Sequence, residues 1–111
     1  MKAASGGGNL LDPSLIEMGY YTSSGNKTSD GDNKYRRFAI TLGAGSYKFG
    51  TDLPDCYIIR VLINNTVDGS GGAMQERTFT LTEESEVKFS FRNKDSSAIT
   101  ESFNAWIYAT A

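Results

Sequence analysis

The sequence predicts an all-β domain: an antiparallel β-sandwich, jelly-roll-like, with about seven to eight short strands and one short helical turn near the N-terminus. Three observations carry that expectation. Apolar residues recur at a two-residue period, as in Val87, Phe89 and Phe91 set against Lys88, Ser90 and Arg92. Clusters of Gly, Asn, Asp and Ser interrupt the runs at near-regular spacing, so the chain turns often. The third is Cys56-Tyr57-Ile58-Ile59-Arg60-Val61-Leu62-Ile63, the longest apolar, β-branched run, which suits a central strand.

Residues 1–8 are rich in Gly and Ser, cannot bury enough to offset their ordering entropy, and read as a flexible linker or an expression scar. Residues 9–111 are then a single β-sandwich domain. Asp12 offers a cap to the free amides of a helical turn, and Pro13 suits its first position. Gly19-Tyr20-Tyr21-Thr22-Ser23 is predicted as a strand and residues 24–34 as a polar loop. The next strand, Tyr35-Arg36-Arg37-Phe38-Ala39-Ile40-Thr41, puts Phe38 and Ile40 on one side. Arg36 and Arg37 fall on opposite sides and mark a solvated edge strand. Gly43-Ala44-Gly45 reads as a turn and not as a phosphate-cradling loop, because a strand, not a helix, follows it.

Ser46-Tyr47-Lys48-Phe49-Gly50 alternates cleanly, and Pro54 stops pairing before the central strand. On that strand Tyr57, Ile59, Val61 and Ile63 share one face, and Cys56, Ile58, Arg60 and Leu62 the other. One arginine among apolar residues suits a second face covered only in part. Residues 64–72 read as a long loop crossing an end of the domain. The strands of residues 77–82 and 87–92 read as a hairpin turning at Glu83-Glu84-Ser85. Residues 94–101 form a polar loop, and Phe103-Asn104-Ala105-Trp106-Ile107-Tyr108-Ala109-Thr110 closes the domain. The predicted core is Phe38, Ile40, Tyr47, Phe49, Ile59, Val61, Phe79, Leu81, Val87, Phe89, Phe91 and Ile107.

Composition narrows the function classes. A net charge of -2 supplies no basic excess, so neither nucleic acid nor an anionic membrane is an expected partner. The longest apolar run is far shorter than the roughly 20 residues of a spanning helix. The absence of histidine removes the commonest general base and transition-metal ligand, and with them every Ser-His or Cys-His arrangement. A lone cysteine inside an apolar strand reads as a small buried hydrophobe. Glu83, Glu84, Glu86 and Glu101 supply carboxylates, but a glycosidase pair needs one acid held in a pocket, whereas the first three crowd a polar turn. No catalytic residue and no cofactor is expected.

Asp30-Gly31-Asp32-Asn33 sets two carboxylates and an amide on one turn, the hard-oxygen chemistry that calcium selects, and Asp30 and Asp32 are the metal candidates. Aspartates are equally ordinary loop residues, and no metal is assigned. The aromatics are the stronger signal. On the last strand Trp106 and Tyr108 share a face with Asn104, opposite Phe103, Ala105, Ile107 and Ala109. If the latter face is core, Trp106 and Tyr108 stand outside, where indole and phenol rings stack on the C–H faces of sugars and amides meet the hydroxyls. If the aromatic face is core, the alanines face out. Alternation leaves both readings open. One of Tyr20 and Tyr21 must likewise point away from the core, and Tyr20 joins the ligand-binding candidates Trp106, Tyr108, Asn104, Asp30, Asp32 and Asn33.

Asn9-Leu10-Leu11-Asp12-Pro13-Ser14, then Gly19-Tyr20-Tyr21 and Ser23-Ser24-Gly25-Asn26, resembles the opening of β-sandwich modules in bacteriophage tail, baseplate and receptor-binding proteins. Phe38-Ala39-Ile40 and Gly45-Ser46-Tyr47-Lys48-Phe49 are similar to a hairpin of that family, as is the closing pair Phe79-Thr80-Leu81-Thr82 and Val87-Lys88-Phe89-Ser90-Phe91-Arg92. The Gly-rich stretch of residues 64–72 departs from the pattern. The resemblance implies a jelly-roll module of a virion tail or another extracellular particle, adhesive or saccharide-binding, often in a homotrimer or against other tail subunits. It brings no catalytic residues. Two expectations follow: a non-catalytic module that recognises cell-envelope saccharide, or a purely structural module for trimer assembly or docking.

Overall fold

Alternation decides which face of a strand is buried, while register decides which strands share a core. The computed structural model describes residues 9–29, 33–69, 72 and 75–110. The proposed linker of residues 1–8 lies outside them, as do Asp30 and Asp32. The strands are β1 (Glu17–Met18), β2 (Tyr20–Tyr21), β3 (Lys27–Thr28), β4 (Tyr35–Leu42), β5 (Gly45–Thr51), β6 (Cys56–Ile63), β7 (Thr66–Gly69), β8 (Glu76–Leu81), β9 (Ser85–Asn93) and β10 (Ala105–Thr110). A five-stranded sheet in the order β1-β4-β9-β6-β7 packs on a three-stranded sheet in the order β10-β5-β8. Among the described residues every pairing is antiparallel, and the fold is a β-sandwich whose two large sheets hold five and three strands. The expected helical turn is a 3-10 turn (Pro13–Leu15), capped by Asp12, whose carboxylate accepts the Ser14 amide at 2.9 Å.

The core lies between the sheets. Phe38 on β4 and Phe89 on β9 stack at 5.1 Å, and Phe49 on β5 meets Phe89 at 4.8 Å, so aromatic rings bridge the layers at their centre. Tyr47, Phe79, Leu81, Val61, Val87, Phe91 and Ile107 are buried around them, as the alternation predicts. Ile40 packs against this cluster only partly buried, and Ile59 is not in it. The reason is a β-bulge. Between Ile58 and Arg60 the β6–β9 register shifts by one residue, so inward pointing passes from Cys56 and Ile58 to Val61 and Ile63. Tyr57, Ile59, Val61 and Ile63 therefore do not share a face, and Ile58 takes the core position assigned to Ile59. Burial of Cys56 pushes its thiol up to about 12, consistent with a packing role.

Three further expectations are corrected. The stretch after Ile63 opens as a tight hairpin: Asn64 (φ 51°) and Asn65 (φ 63°) make a two-residue turn with both residues left-handed, and β7 pairs back on β6. Strands β8 and β9 are not a hairpin. β8 pairs with β5 and β9 with β4 and β6, so Thr82, Glu83 and Glu84 carry the chain from one sheet to the other. Finally, β4 is no solvated edge, since it lies between β1 and β9 and Arg37 is buried.

Arg37 is buried because the outer face of the five-stranded sheet is a polar seat for the β2–β3 hairpin. Arg37 Nη1 donates to the carbonyl of Thr28 (2.9 Å), Arg60 Nη1 to that of Tyr21 (2.7 Å), and Lys88 Nζ to that of Gly25 (2.9 Å), while Ser90 Oγ accepts the Tyr21 amide (2.8 Å). The Tyr21 ring lies beneath Lys88 Nζ, 5.0 Å from its centroid. Gly25, at φ 86°, leaves the space into which Asn65 Oδ1 packs. Arg60, the odd residue in the apolar run, holds this hairpin to the sheet.

Candidate functional site

Cross-strand register writes a grid on the outer face of the three-stranded sheet. Trp106 on β10 stands opposite Gly50 on β5, which stands opposite Glu76 on β8. The next row is Tyr108, Lys48 and Thr78, and the third is Thr110, Ser46 and Thr80. Ala105 and Ile107 are buried on the inner side of β10, so Trp106 and Tyr108 face out and remain half-buried. Of the two orientations alternation left open, β10 takes the one with its aromatics outside.

Gly50 is what lets the indole settle. A Cβ on Gly50 would collide with Trp106 Nε1 and stand 2.8 Å from its Cε2, so the pyrrole edge occupies the space a side chain would need. Trp106 thus leans over β5 toward β8 and, with Thr51, Asp52, Gln75 and Glu76, lines an open depression at this end of the sheet. Asp52 is fixed there by Asn104, whose backbone amide donates to Oδ1 at 2.7 Å and whose Nδ2 donates to Oδ2 at 2.9 Å. These bonds, the backbone one foremost, hold the Asp52 carboxyl below the usual carboxylate range. Gln75 is anchored through Nε2 to the carbonyl of Leu53 (3.2 Å), and Glu76 makes a long ion pair with Lys48 (3.8 Å). An aromatic wall beside fixed carboxylates and amides can hold an apolar ring face and accept hydrogen bonds from hydroxyls around it.

Of the residues proposed from the sequence, Trp106, Tyr108 and Asn104 come together here, with Asn104 acting through Asp52. Tyr20 does not join them. It belongs to the hairpin on the outer face of the other sheet, where its ring packs on Tyr35 at 4.8 Å. Asn33 is also elsewhere and structural: its Nδ2 donates to the carbonyl of Ile99 (2.8 Å) and its Oδ1 accepts from Arg36 Nη2 (2.7 Å). Among the described residues no group of three or more acidic or cysteine side chains is gathered for a metal. Gly50, Asp52, Gln75 and Glu76 were not singled out, because their meeting with Trp106 depends on register between distant strands.

A second depression, lined by Tyr21, Gly25, Lys27, Glu17, Glu86 and Lys88 among others, flanks the β2–β3 hairpin. Its charged groups are already engaged: Glu17 binds Arg37 and Lys27, and Lys88 binds the carbonyl of Gly25 and Asn65 Oδ1 (2.7 Å). It reads as the seam where the hairpin docks.

A scan against protein-family models finds no match, and comparisons with curated proteins and with solved structures find none. The resemblance to phage tail modules therefore rests on the short sequence motifs alone.

Proposed function

We propose that this domain is a non-catalytic saccharide-binding module that stacks sugar rings on Trp106 and Tyr108, working on a virion tail or another extracellular particle as the phage-module resemblance implies. The observation that supports it is two neighbouring aromatic side chains on the outer face of the three-stranded sheet, with polar groups on both flanks. A pyranose laid on the indole gives up apolar C–H area, and its hydroxyls meet Asp52, Gln75 and Glu76. Recognition of this kind breaks no bond.

A glycan array probed with the wild type and with Trp106→Ala tests the reading. Binding to saccharide in the wild type and a loss of about 1 to 3 kcal/mol in the variant, with an unchanged melting temperature, supports it. The rival use of the same face is docking to a neighbouring subunit or to copies of this chain. That reading predicts no glycan binding, and for self-association a mass by light scattering above the monomer that falls in Trp106→Ala.

A further inference from the structure

We infer that the Trp106 face selects neutral or amino-bearing saccharides and rejects acidic ones, a selectivity that rests on the saccharide-binding reading above. The argument is positional. In the row Trp106, Gly50, Glu76 the middle residue has no side chain to stand between the indole and Glu76 across β5. Adjacent strands are about 4.8 Å apart, so with the indole already lying over β5 a ring stacked on it reaches the neighbouring strand β8. Asp52 lies along the same depression, its carboxylate held in place by Asn104. A ring on Trp106 therefore has an acceptor-only group at two of its margins.

The cations near this face offset only one of these two carboxylates. Lys48 is the single cation among the outward residues of the three strands, and it is already the partner of Glu76 at 3.8 Å. Arg77, the neighbour of Glu76, alternates to the other side, where its Nη2 binds Asp68 at 3.2 Å. With Lys48 set against Glu76, the depression keeps one net negative charge, that of Asp52. Sugar hydroxyls and ammonium groups donate to such a rim, whereas a sugar carboxylate or sulfate would place like charge against it, the one outward cation of the three strands being already shared with Glu76.

The test is a matched panel: neutral N-acetylglucosamine oligomers, glucosamine oligomers and oligogalacturonates, titrated into the wild type, Glu76→Gln and Asp52→Asn, each at low and at high salt. The inference expects the neutral and amino oligomers to bind at least several-fold tighter than the uronates, with a gap that narrows in both variants and in salt. Uronates bound as tightly as neutral oligomers, with Trp106→Ala abolishing both, would overturn the selectivity and leave the saccharide-binding reading standing. A gap unaltered in both variants would overturn the charge account. Absence of binding across the panel would overturn the saccharide reading and the selectivity with it. Melting temperatures of the variants, both changed at exposed positions, show whether a loss comes from the fold.

Discussion

Trp106 and Gly50 face each other across β10 and β5, and the indole fills the volume that a side chain on Gly50 would occupy. The pair works only with glycine on one side. Gly50→Ala must push the indole off β5, because the colliding atoms belong to a rigid ring. Emission from Trp106, the one tryptophan, should shift in Gly50→Ala, and any saccharide affinity should fall toward that of Trp106→Ala. An unchanged spectrum would mean that the indole does not rest on Gly50.

Arg60→Leu removes the donor to the Tyr21 carbonyl while keeping apolar bulk. The expected loss is about 1.5 to 3 kcal/mol, the scale of a hydrogen bond to a charged group. Hydrogen exchange should quicken first at the amides of residues 20–28, since the β2–β3 hairpin is held by a few such bonds. Uniform exchange across the domain would place Arg60 in a different role.

Phe89→Ala empties the centre of the ring cluster formed with Phe38, Phe49 and Phe79. Urea unfolding should show a loss of about 3 to 5 kcal/mol. A loss well under 1 kcal/mol would put β9 inside out.

Cys56 gives a pH dependence with a definite sign. Its folded-state thiol is pushed up to about 12 by burial, above its ordinary value of 9.0, so the unfolded chain loses the proton first as pH rises. The stability tied to the neutral thiol is fully present below about pH 9 and is lost as pH climbs through the folded value, at up to about 1.4 kcal/mol per unit. The stability difference between the wild type and Cys56→Ala should therefore shrink across that window. A difference that stays constant from pH 8 to 11 would contradict the burial argument.

What could be read from the sequence, and what could not, follows the range of the interactions. Strand β9 was legible because its alternation is unbroken, and Asp12-Pro13 because a cap is a local bond. The bulge at Ile59 and Arg60 was not, since an extra residue in one strand is defined only against its partner. Asn64-Asn65 carried a local signal that was missed: asparagine tolerates the left-handed conformation, so the pair allows a two-residue turn. The sheet membership of β8 was hidden for a further reason, because a short polar connection serves equally as a hairpin turn and as a corner between sheets. At the site, Trp106, Tyr108 and Asn104 were visible on one strand. Asp52 and Glu76 reach them only through the β10–β5–β8 register.

The central claim is that Trp106 is an outward stacking platform, and intrinsic fluorescence during titration with a neutral oligosaccharide tests it most directly. The account predicts emission that iodide quenches in the free protein, and an intensity change and iodide protection that saturate with the oligosaccharide. Emission that is blue-shifted, insensitive to iodide and indifferent to every saccharide would contradict it.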